Sequence, residues 1–412
     1  MGVIYVVAEA MKLGFRNGHP DWCNLGQGQP EVGEMEGAPP RIRSIEIAPE
    51  DHAYGPIDGT PELRAKVAEH YNRLFRRGKK SKYGPQNVSV AAGGRLMLTR
   101  IFAALGDVNV GYQIPDYTAY EDMIAYHQHR FTPVPVPASE EFGFAIRPEE
   151  FRREVEGRGL EAFVLSNPCN PTGRVLREKE LASYVATARE LSSTLVLDEF
   201  YSHFVYDGRK PGKGPVSGAE FVEDVERDPV LLVDGLTKSF RYPGWRVGWA
   251  VGPSAMIDTL GRAASAIDGG PSRPIQRAAL EALEPERADQ ETNALRSVFS
   301  RKRNLMTDRL KELGVRFARE SESTFYVWGS IADLPEPLDD GEAFFRAGLE
   351  RKVMTVPGVF FDVNPGKRRH GPSPFRPWVR FSFGPPIENV ALGLDRLEEM
   401  VAEARGTKLA TG

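Results

Sequence analysis

Apolar residues along this chain alternate between helical spacing and short continuous runs. Helical spacing occurs in PELRAKVAEHYNRLF, which begins at Pro61, and in RLMLTRIFAAL, which begins at Arg95. NVSVAAGG between them has the pattern of a strand. Four later runs are rich in Val and Leu and contain Asn, Asp or Gly near their ends: EAFVLSNP, STLVLDEFY, PVLLVDGL and VGWAVGP. Short apolar strands separated by helix-length segments predict an α/β fold, in which a mostly parallel sheet carries helices on both faces.

The pattern changes after about residue 286. A long charged helix, ADQETNALRSVFSRKRNLMTDRLKEL, is followed by two shorter strand candidates, STFYVWGSI and WVRFSFGP. The first 45 or so residues are rich in Gly and Pro and are expected to lie across both parts of the chain. We therefore predict a large domain at residues 47–288 and a smaller α/β domain formed by residues 1–46 and 289–412.

The segment 362–377, DVNPGKRRHGPSPFRP, combines Pro and Gly with four Lys or Arg residues and one His, and is predicted to be a loop. Two interpretations are open. The charges can belong to a solvated surface loop, as most charge runs do, or the loop can border the mouth of an active site.

Composition excludes several classes of function. The 412 residues include 53 basic and 57 acidic side chains, which are mixed along the chain, so no polycationic surface for nucleic acid is expected. No run approaches the roughly 20 apolar residues of a membrane span. Cys23 and Cys169 have neither disulfide nor zinc spacing, and His127 and His129 lie on different faces of any helix. A cytoplasmic protein without a metal site is predicted.

Four segments carry the chemically informative residues. In chain order they are SNPCNPTG (166–173), LDEFY (197–201), DGLTKSFRYPGWRVG (234–248) and VRFSFG (379–384). Their order and spacing resemble the aspartate aminotransferase-like class I/II aminotransferases, the fold-type I enzymes that use pyridoxal 5'-phosphate. The resemblance extends over nearly the whole chain. It implies that family's fold, its cofactor, and amino-acid and 2-oxo-acid substrates.

The resemblance assigns the central catalytic roles to Lys238 and Asp198. Lys238 matches the lysine that holds the cofactor as a Schiff base, and its position just after the apolar run PVLLV favours a neutral, nucleophilic amine. Asp198, at the end of STLVL, matches the carboxylate that faces the cofactor's ring nitrogen and keeps it protonated.

The cofactor phosphate is expected to lie between two segments. Arg246 matches the arginine that binds two phosphate oxygens with its planar fork. Gly93, Gly94 and Arg95 follow the NVSVAA strand and begin a helix, whose N-terminal amides attract anions. Many relatives carry Ser three residues before the lysine, whereas this chain has Gly235, so Thr237 or Arg95 is expected to supply the missing contact.

Further matched residues surround the cofactor ring and the substrate. Asn170 and Tyr201 match residues that hydrogen bond to the phenolic oxygen of the cofactor, and Tyr117 matches the aromatic residue stacked on its ring. Arg380 matches the arginine that binds the substrate α-carboxylate, together with Asn170 and the backbone of Gly28. The family pattern is extended here by the basic residues 367–369, which lengthen the approach to Arg380.

Tyr54 matches a tyrosine that reaches the cofactor phosphate of the other subunit. The resemblance therefore implies a homodimer with shared active sites. The expected reaction is transamination between an L-amino acid and a 2-oxo acid. The same residues also serve β- or γ-elimination, cyclisation and aminocyclopropane-carboxylate synthase chemistry, and the sequence leaves these alternatives open.

Overall fold

The computed structural model describes residues 2–406. Its helices are α1 Gly2–Lys12, α2 Pro61–Phe75, α3 Gly94–Ala104, α4 Ala119–His127, α5 Pro148–Gly157, α6 Glu178–Leu191, α7 Ser254–Ile267, α8 Arg273–Ala282, α9 Pro285–Leu313, α10 Gly341–Glu350 and α11 Ile387–Ala404.

The strands include several two-residue pairings. They are β1 Cys23–Asn24, β2 Val88–Ala91, β3 Asn109–Ile114, β4 Thr132–Pro137, β5 Leu160–Ser166, β6 Thr194–Asp198, β7 Tyr206–Asp207, β8 Lys210–Pro211, β9 Val230–Gly235, β10 Gly248–Val251, β11 Tyr326–Ser330, β12 Val353–Met354, β13 Val356–Pro357 and β14 Trp378–Ser382. The apolar runs named in the sequence therefore form strands, and both helical segments form helices.

A seven-stranded sheet organises the larger part of the molecule. Its strand order is β2-β10-β9-β6-β5-β3-β4, and only β10 runs antiparallel to its neighbours. Parallel neighbours of this kind need crossover connections, and the intervening helices supply them. The predicted fold class, a mostly parallel sheet with helices on both faces, is confirmed.

Alternate residues of each central strand point to opposite cores. On β6, Val196 packs into one hydrophobic cluster with α3, α4 and α7, whereas Leu195 and Leu197 pack into another with α2, α5, α6 and α8. The side chains of β9 alternate in the same way, with Val233 in the first cluster and Leu232 in the second. This burial on both faces explains why the strands appear in the sequence as continuous apolar runs.

The C-terminal part contains a smaller antiparallel sheet, β11-β14-β13, packed with α9 and α10, and α11 packs on these two helices. Helix α9 begins at Pro285, so the boundary predicted after residue 288 falls inside a continuous helix. The N-terminal segment adds β1, which pairs with β12. It also contains α1, which the Gly- and Pro-rich composition did not predict.

The sheet brings the sequence motifs to one edge. Ser166 and Asp198 are register partners at the carboxyl ends of β5 and β6, and Gly235 ends the neighbouring strand β9. Ala91 ends β2. It lies at the same edge of the sheet as Gly235, because Gly248 of β10 is in register with both residues. Ligands of open α/β sheets bind at this edge.

Candidate active site

A cavity of about 620 Å³ opens at the carboxyl edge of the sheet. Its walls combine the ends of the sheet strands with residues of the N-terminal segment and of the C-terminal sheet. Eleven of the residues predicted from the sequence line it: Gly28, Gly94, Arg95, Tyr117, Asn170, Asp198, Tyr201, Thr237, Lys238, Arg246 and Arg380.

Lys238 follows β9 and points into this cavity. Its Nζ donates a hydrogen bond to the carbonyl oxygen of Gly28. Desolvation lowers the pKa of Lys238 to about 7, and the positive charges of Arg380 and Arg95 add to the effect, while Asp198 partly opposes it. The amine is therefore largely neutral just above neutral pH, as a nucleophile requires.

Asp198 is buried at the end of β6. Its Oδ2 accepts a hydrogen bond of 2.9 Å from the hydroxyl of Tyr120, which the sequence analysis did not identify. Burial raises the pKa of Asp198 to about 6, although the Tyr120 hydrogen bond opposes the shift. A cationic partner would compensate this buried carboxylate, since burying an unpaired charge is costly.

The turn between β2 and α3 forms a narrow cradle. A Cβ on Gly93, whose φ is 95°, would lie 2.3 Å from Nη2 of Arg246, so glycine allows that guanidinium to reach the first turn of α3. Arg246 itself has a left-handed backbone, with φ 53° and ψ 54°. Such strained conformations are held in place by their surroundings and cluster at binding sites.

The glycine at position 235 has a packing explanation. A Cβ there would lie 2.4 Å from the carbonyl oxygen of Val247 and 2.7 Å from the Cα of Gly248, on the paired strand β10. The ring of Phe200 is also close, at 3.1 Å. A serine side chain does not fit this space. Of the two expected substitutes, Thr237 lines the cavity, and Arg95 donates from Nε to the Tyr117 hydroxyl at 3.0 Å.

Arg380 is 1% exposed and is held by two hydrogen bonds. Nη1 donates to Oδ1 of Asn170 and Nη2 donates to the carbonyl oxygen of Gly26, both at 2.9 Å. Nε is buried without a hydrogen-bond partner among residues 2–406. Since a guanidinium has five N–H donors, donors remain for an anionic ligand in the cavity that Arg380 lines.

Tyr201 and Tyr326 meet in the wall of the cavity, where their hydroxyl oxygens are 2.9 Å apart. The sequence analysis named Tyr201 but missed Tyr326, because a tyrosine in the apolar strand YVWGS has the pattern of a core residue. Its position diagonal to Arg380 depends on pairing between β11 and β14, which no local signal shows.

Helix α1 also contributes to the cavity wall, through Val3, Ile4 and Val7. Its first residue contacts the start of α4, since a Cβ on Gly2 would lie 2.5 Å from Oγ1 of Thr118. The apolar residues at the start of the chain were the only available signal for this helix.

Two predicted elements lie away from the cavity. Tyr54 is fully exposed, with a relative exposure of 101%, and does not line it. No residue of the basic segment 362–377 lines it either. In this segment Lys367 pairs with Glu121 at 2.6 Å and Arg369 with Asp362 at 2.5 Å, which agrees with the surface-loop interpretation.

Residues 2–406 contain no group of three or more His, Cys, Asp or Glu side chains suited to a metal ion. In the same range, no helix has the length and apolarity needed to cross a membrane.

Comparisons with known proteins agree with this geometry. Residues 20–397 match the family described as aminotransferase class I and II. The probable aspartate/prephenate aminotransferase of Thermus aquaticus is 30% identical over 359 residues, covering 86% of this chain and 88% of that protein. Aromatic-amino-acid aminotransferase 2 of Thermococcus litoralis is 29% identical, with 85% of each chain covered.

Similarity extends to solved structures. The aspartate aminotransferase from Thermus thermophilus with maleate superposes with a TM-score of 0.78 at 27% identity, covering 97% of this chain and 96% of that chain. Of the reactions that the sequence left open, these findings support transamination. The chain belongs to the class I and II aminotransferase family and is an enzyme that depends on pyridoxal phosphate.

Proposed function

We propose that Lys238 carries the cofactor and that the cavity around it transfers the amino group of an L-amino acid to a 2-oxo acid. The observation that carries this proposal is the amine of Lys238, whose pKa is lowered to about 7, in one cavity with a buried carboxylate, Asp198, and a buried guanidinium, Arg380. Perturbed titratable groups that converge in a cleft are typical of catalytic sites.

The residues of the cavity fit pyridoxal phosphate. The Gly93 cradle, the first turn of α3 and Arg246 form an anion site for its phosphate, to which Thr237 and Arg95 add side-chain donors. The ring of Tyr117, on the same wall, is suited to stacking on the pyridine ring.

The remaining polar groups fit the edges of the pyridine ring. Asp198 is the buried carboxylate that a protonated ring nitrogen would compensate. Asn170 and Tyr201 line the same cavity and would supply donors for the phenolic oxygen.

When bound, the cofactor supplies an electron sink for the electron pair left at the substrate α-carbon after its proton is removed. Lys238 Nζ would be the base that takes this proton and the acid that gives it back. Asp198 keeps the ring nitrogen protonated. Arg380 and the backbone of Gly28 hold the α-carboxylate, so that the bond to be broken has one orientation.

A substrate panel tests the reaction. The purified enzyme is incubated with 2-oxoglutarate and each of the standard amino acids other than glutamate, and glutamate formation is measured. The relatives' names make aspartate and the aromatic amino acids the first to examine. We expect glutamate to form with at least one L-amino acid and not with its D-enantiomer. Release of pyruvate or ammonia without glutamate would contradict transamination and indicate elimination.

We also propose a homodimer in which Tyr54 of each subunit completes the cavity of the other. Tyr54 is fully exposed on one subunit, and Ile47, seven residues before it, is 59% exposed. Both are large hydrophobic side chains that a second subunit would cover. A twofold interface places the same residue at both sites, so each cavity would gain one tyrosine hydroxyl near its phosphate cradle.

Mixed dimers test this sharing. Two differently tagged variants, Lys238→Ala and Tyr54→Ala, are co-expressed, and the dimers that carry both tags are isolated. Both defects then fall in one cavity and the other cavity is intact, so these dimers should regain about half of the wild-type activity. Each homodimer should be strongly impaired. Full activity of the Tyr54→Ala homodimer, or no recovery in mixed dimers, would contradict shared sites.

The remaining sequence predictions concern location and domain division. We propose a cytoplasmic enzyme, which the two free, buried cysteines support. Recovery of the active protein from the membrane or secreted fraction would contradict this.

We also propose that residues 47–288 form the cofactor-binding domain and that residues 1–46 and 289–412 form the smaller one. Limited proteolysis that cuts far from these boundaries would contradict the division.

A further inference from the structure

Tyr326 lies between Tyr201, proposed to contact the cofactor, and Arg380, proposed to bind the substrate carboxylate. It is the first residue of β11, where it pairs with Ser382 of β14, and it is fully buried. Arg380 is two residues from Ser382 on β14, so Tyr326 and Arg380 are diagonal neighbours on the same face of the sheet. This separation is within reach of a tyrosine ring and an arginine side chain.

The guanidinium of Arg380 lies over the ring of Tyr326. The Cζ atom of Arg380 lies 4.0 Å from the centroid of the Tyr326 ring and 5.1 Å from that of Phe361. The guanidinium therefore has two aromatic contacts, while Asn170 and the Gly26 carbonyl bind its Nη atoms. A cation that is held over an aromatic face in a desolvated site gains energy from the ring quadrupole.

The hydroxyl of Tyr326 contacts Tyr201, a proposed cofactor-binding residue. Its oxygen is 2.9 Å from the hydroxyl oxygen of Tyr201. Burial raises the pKa of both phenols, so both retain their protons. Each hydroxyl has one proton. If Tyr201 donates its proton to the phenolic oxygen of the cofactor, its own oxygen is free to accept the proton of Tyr326.

We propose that Tyr326 is a positioning residue with two separable roles in this enzyme. Its hydroxyl directs the proton of Tyr201 towards the phenolic oxygen of the cofactor, and its ring orients Arg380 for the substrate carboxylate. The proposal rests on the roles given above to Tyr201 and Arg380. It adds a coupling between the cofactor and carboxylate subsites through one side chain.

Two substitutions separate these roles. Tyr326→Phe removes only the hydroxyl, and Tyr326→Leu removes both the hydroxyl and the ring. Tyr184→Phe is the matched control, because the Tyr184 hydroxyl is also buried, where it donates to the Ile146 carbonyl at 2.7 Å, and does not line the cavity.

The first measurement is the pH midpoint of the visible absorbance change of the holoenzyme. A donor to the phenolic oxygen stabilises its ionised form and lowers this midpoint. The groups that act on the Tyr201 hydroxyl are Tyr326 on β11, Arg380 on β14 and Tyr117 before α4, and Lys238 after β9 lies 6.0 Å from the centroid of the Tyr201 ring. Tyr326→Phe leaves the other three unchanged. Any shift in this variant therefore reports the hydroxyl.

We expect Tyr326→Phe to raise the midpoint by about 0.5 pH unit. The Tyr201 hydroxyl is a stronger donor while it accepts the Tyr326 hydrogen bond, and it loses that bond in this variant. Tyr201→Phe should raise it further, by about 1 unit, because the direct donor is lost. No change, or a fall, in Tyr326→Phe would overturn the hydroxyl role while leaving Tyr201 in place. No change in Tyr201→Phe would overturn the Tyr201 assignment and, with it, the role of the Tyr326 hydroxyl.

The second measurement is the dissociation constant of a carboxylic acid that binds but cannot react. This acid has the carbon skeleton of the preferred amino acid, with hydrogen in place of the amino group. Tyr326→Phe should bind it within about twofold of the wild type, and Tyr326→Leu about 5- to 10-fold more weakly, since only the latter loses the ring. Equal affinity in both variants would overturn the ring role. Tyr326→Met replaces the leucine variant if thermal denaturation shows that the latter is unfolded.

Discussion

Replacement of Lys238 by alanine is expected to lower turnover by at least about three orders of magnitude. The substitution removes the proposed covalent anchor of the cofactor and the proposed base for the α-proton, and no second amine lines the described cavity. The nearest cations there, Arg95, Arg246 and Arg380, are guanidiniums, which remain protonated at working pH and cannot replace it. Steady-state assay with the best amino acid of the substrate panel measures the loss.

Lys367→Ala is the matched control for this prediction. Lys367 is exposed, pairs with Glu121 and does not line the cavity, so its removal should leave turnover unchanged. Borohydride treatment gives an independent readout, because only a cofactor bound covalently to an amine is fixed to the protein. If the Lys238→Ala protein still retained reducible cofactor on another lysine, the assignment of the anchor would be wrong.

Arg380→Lys should retain the cofactor with a normal absorbance spectrum but lose about 100-fold in kcat/KM, or about 2.7 kcal/mol of transition-state stabilisation. Lysine keeps the charge but not the planar fork that meets two carboxylate oxygens at once. It also loses the geometry that Asn170, the Gly26 carbonyl and the Tyr326 ring impose on the guanidinium.

Both half-reactions of Arg380→Lys should be impaired, because the amino acid and the 2-oxo acid present the same carboxylate to one site. Arg376→Lys is the control, since Arg376 is exposed, pairs with Asp340 and lies outside the cavity. Single-turnover rates with each substrate test the expectation. An unchanged kcat/KM for both substrates, or equal reactivity of amines that lack a carboxylate, would refute the role of Arg380.

The sequence by itself predicted the α/β class, because strands buried on both faces leave continuous apolar runs whatever their neighbours are. It also placed much of the candidate site. Asp198 ends β6, Lys238 follows β9, and Gly93 precedes α3, so their order along the chain fixes their approximate place at the carboxyl edge of a parallel sheet.

Gly235 shows where local reasoning was incomplete. The sequence marked it as a departure from the family pattern and sought a substitute donor. The structure shows a steric reason, since a side chain would collide with β10. That collision depends on the antiparallel pairing of β9 and β10, which sequence spacing does not specify.

Only the tertiary structure identified Tyr120, Tyr326 and helix α1 as parts of the site. Tyr120 contacts Asp198 across 78 residues, and Tyr326 contacts Tyr201 across 125. Aromatic and aliphatic residues in these segments have the pattern of ordinary core positions, and their polar atoms acquire partners only when distant elements pack together. The sequence predicted which groups carry the chemistry, and long-range packing decided which groups contact and orient them, because orientation depends on contacts between elements that are far apart in the chain.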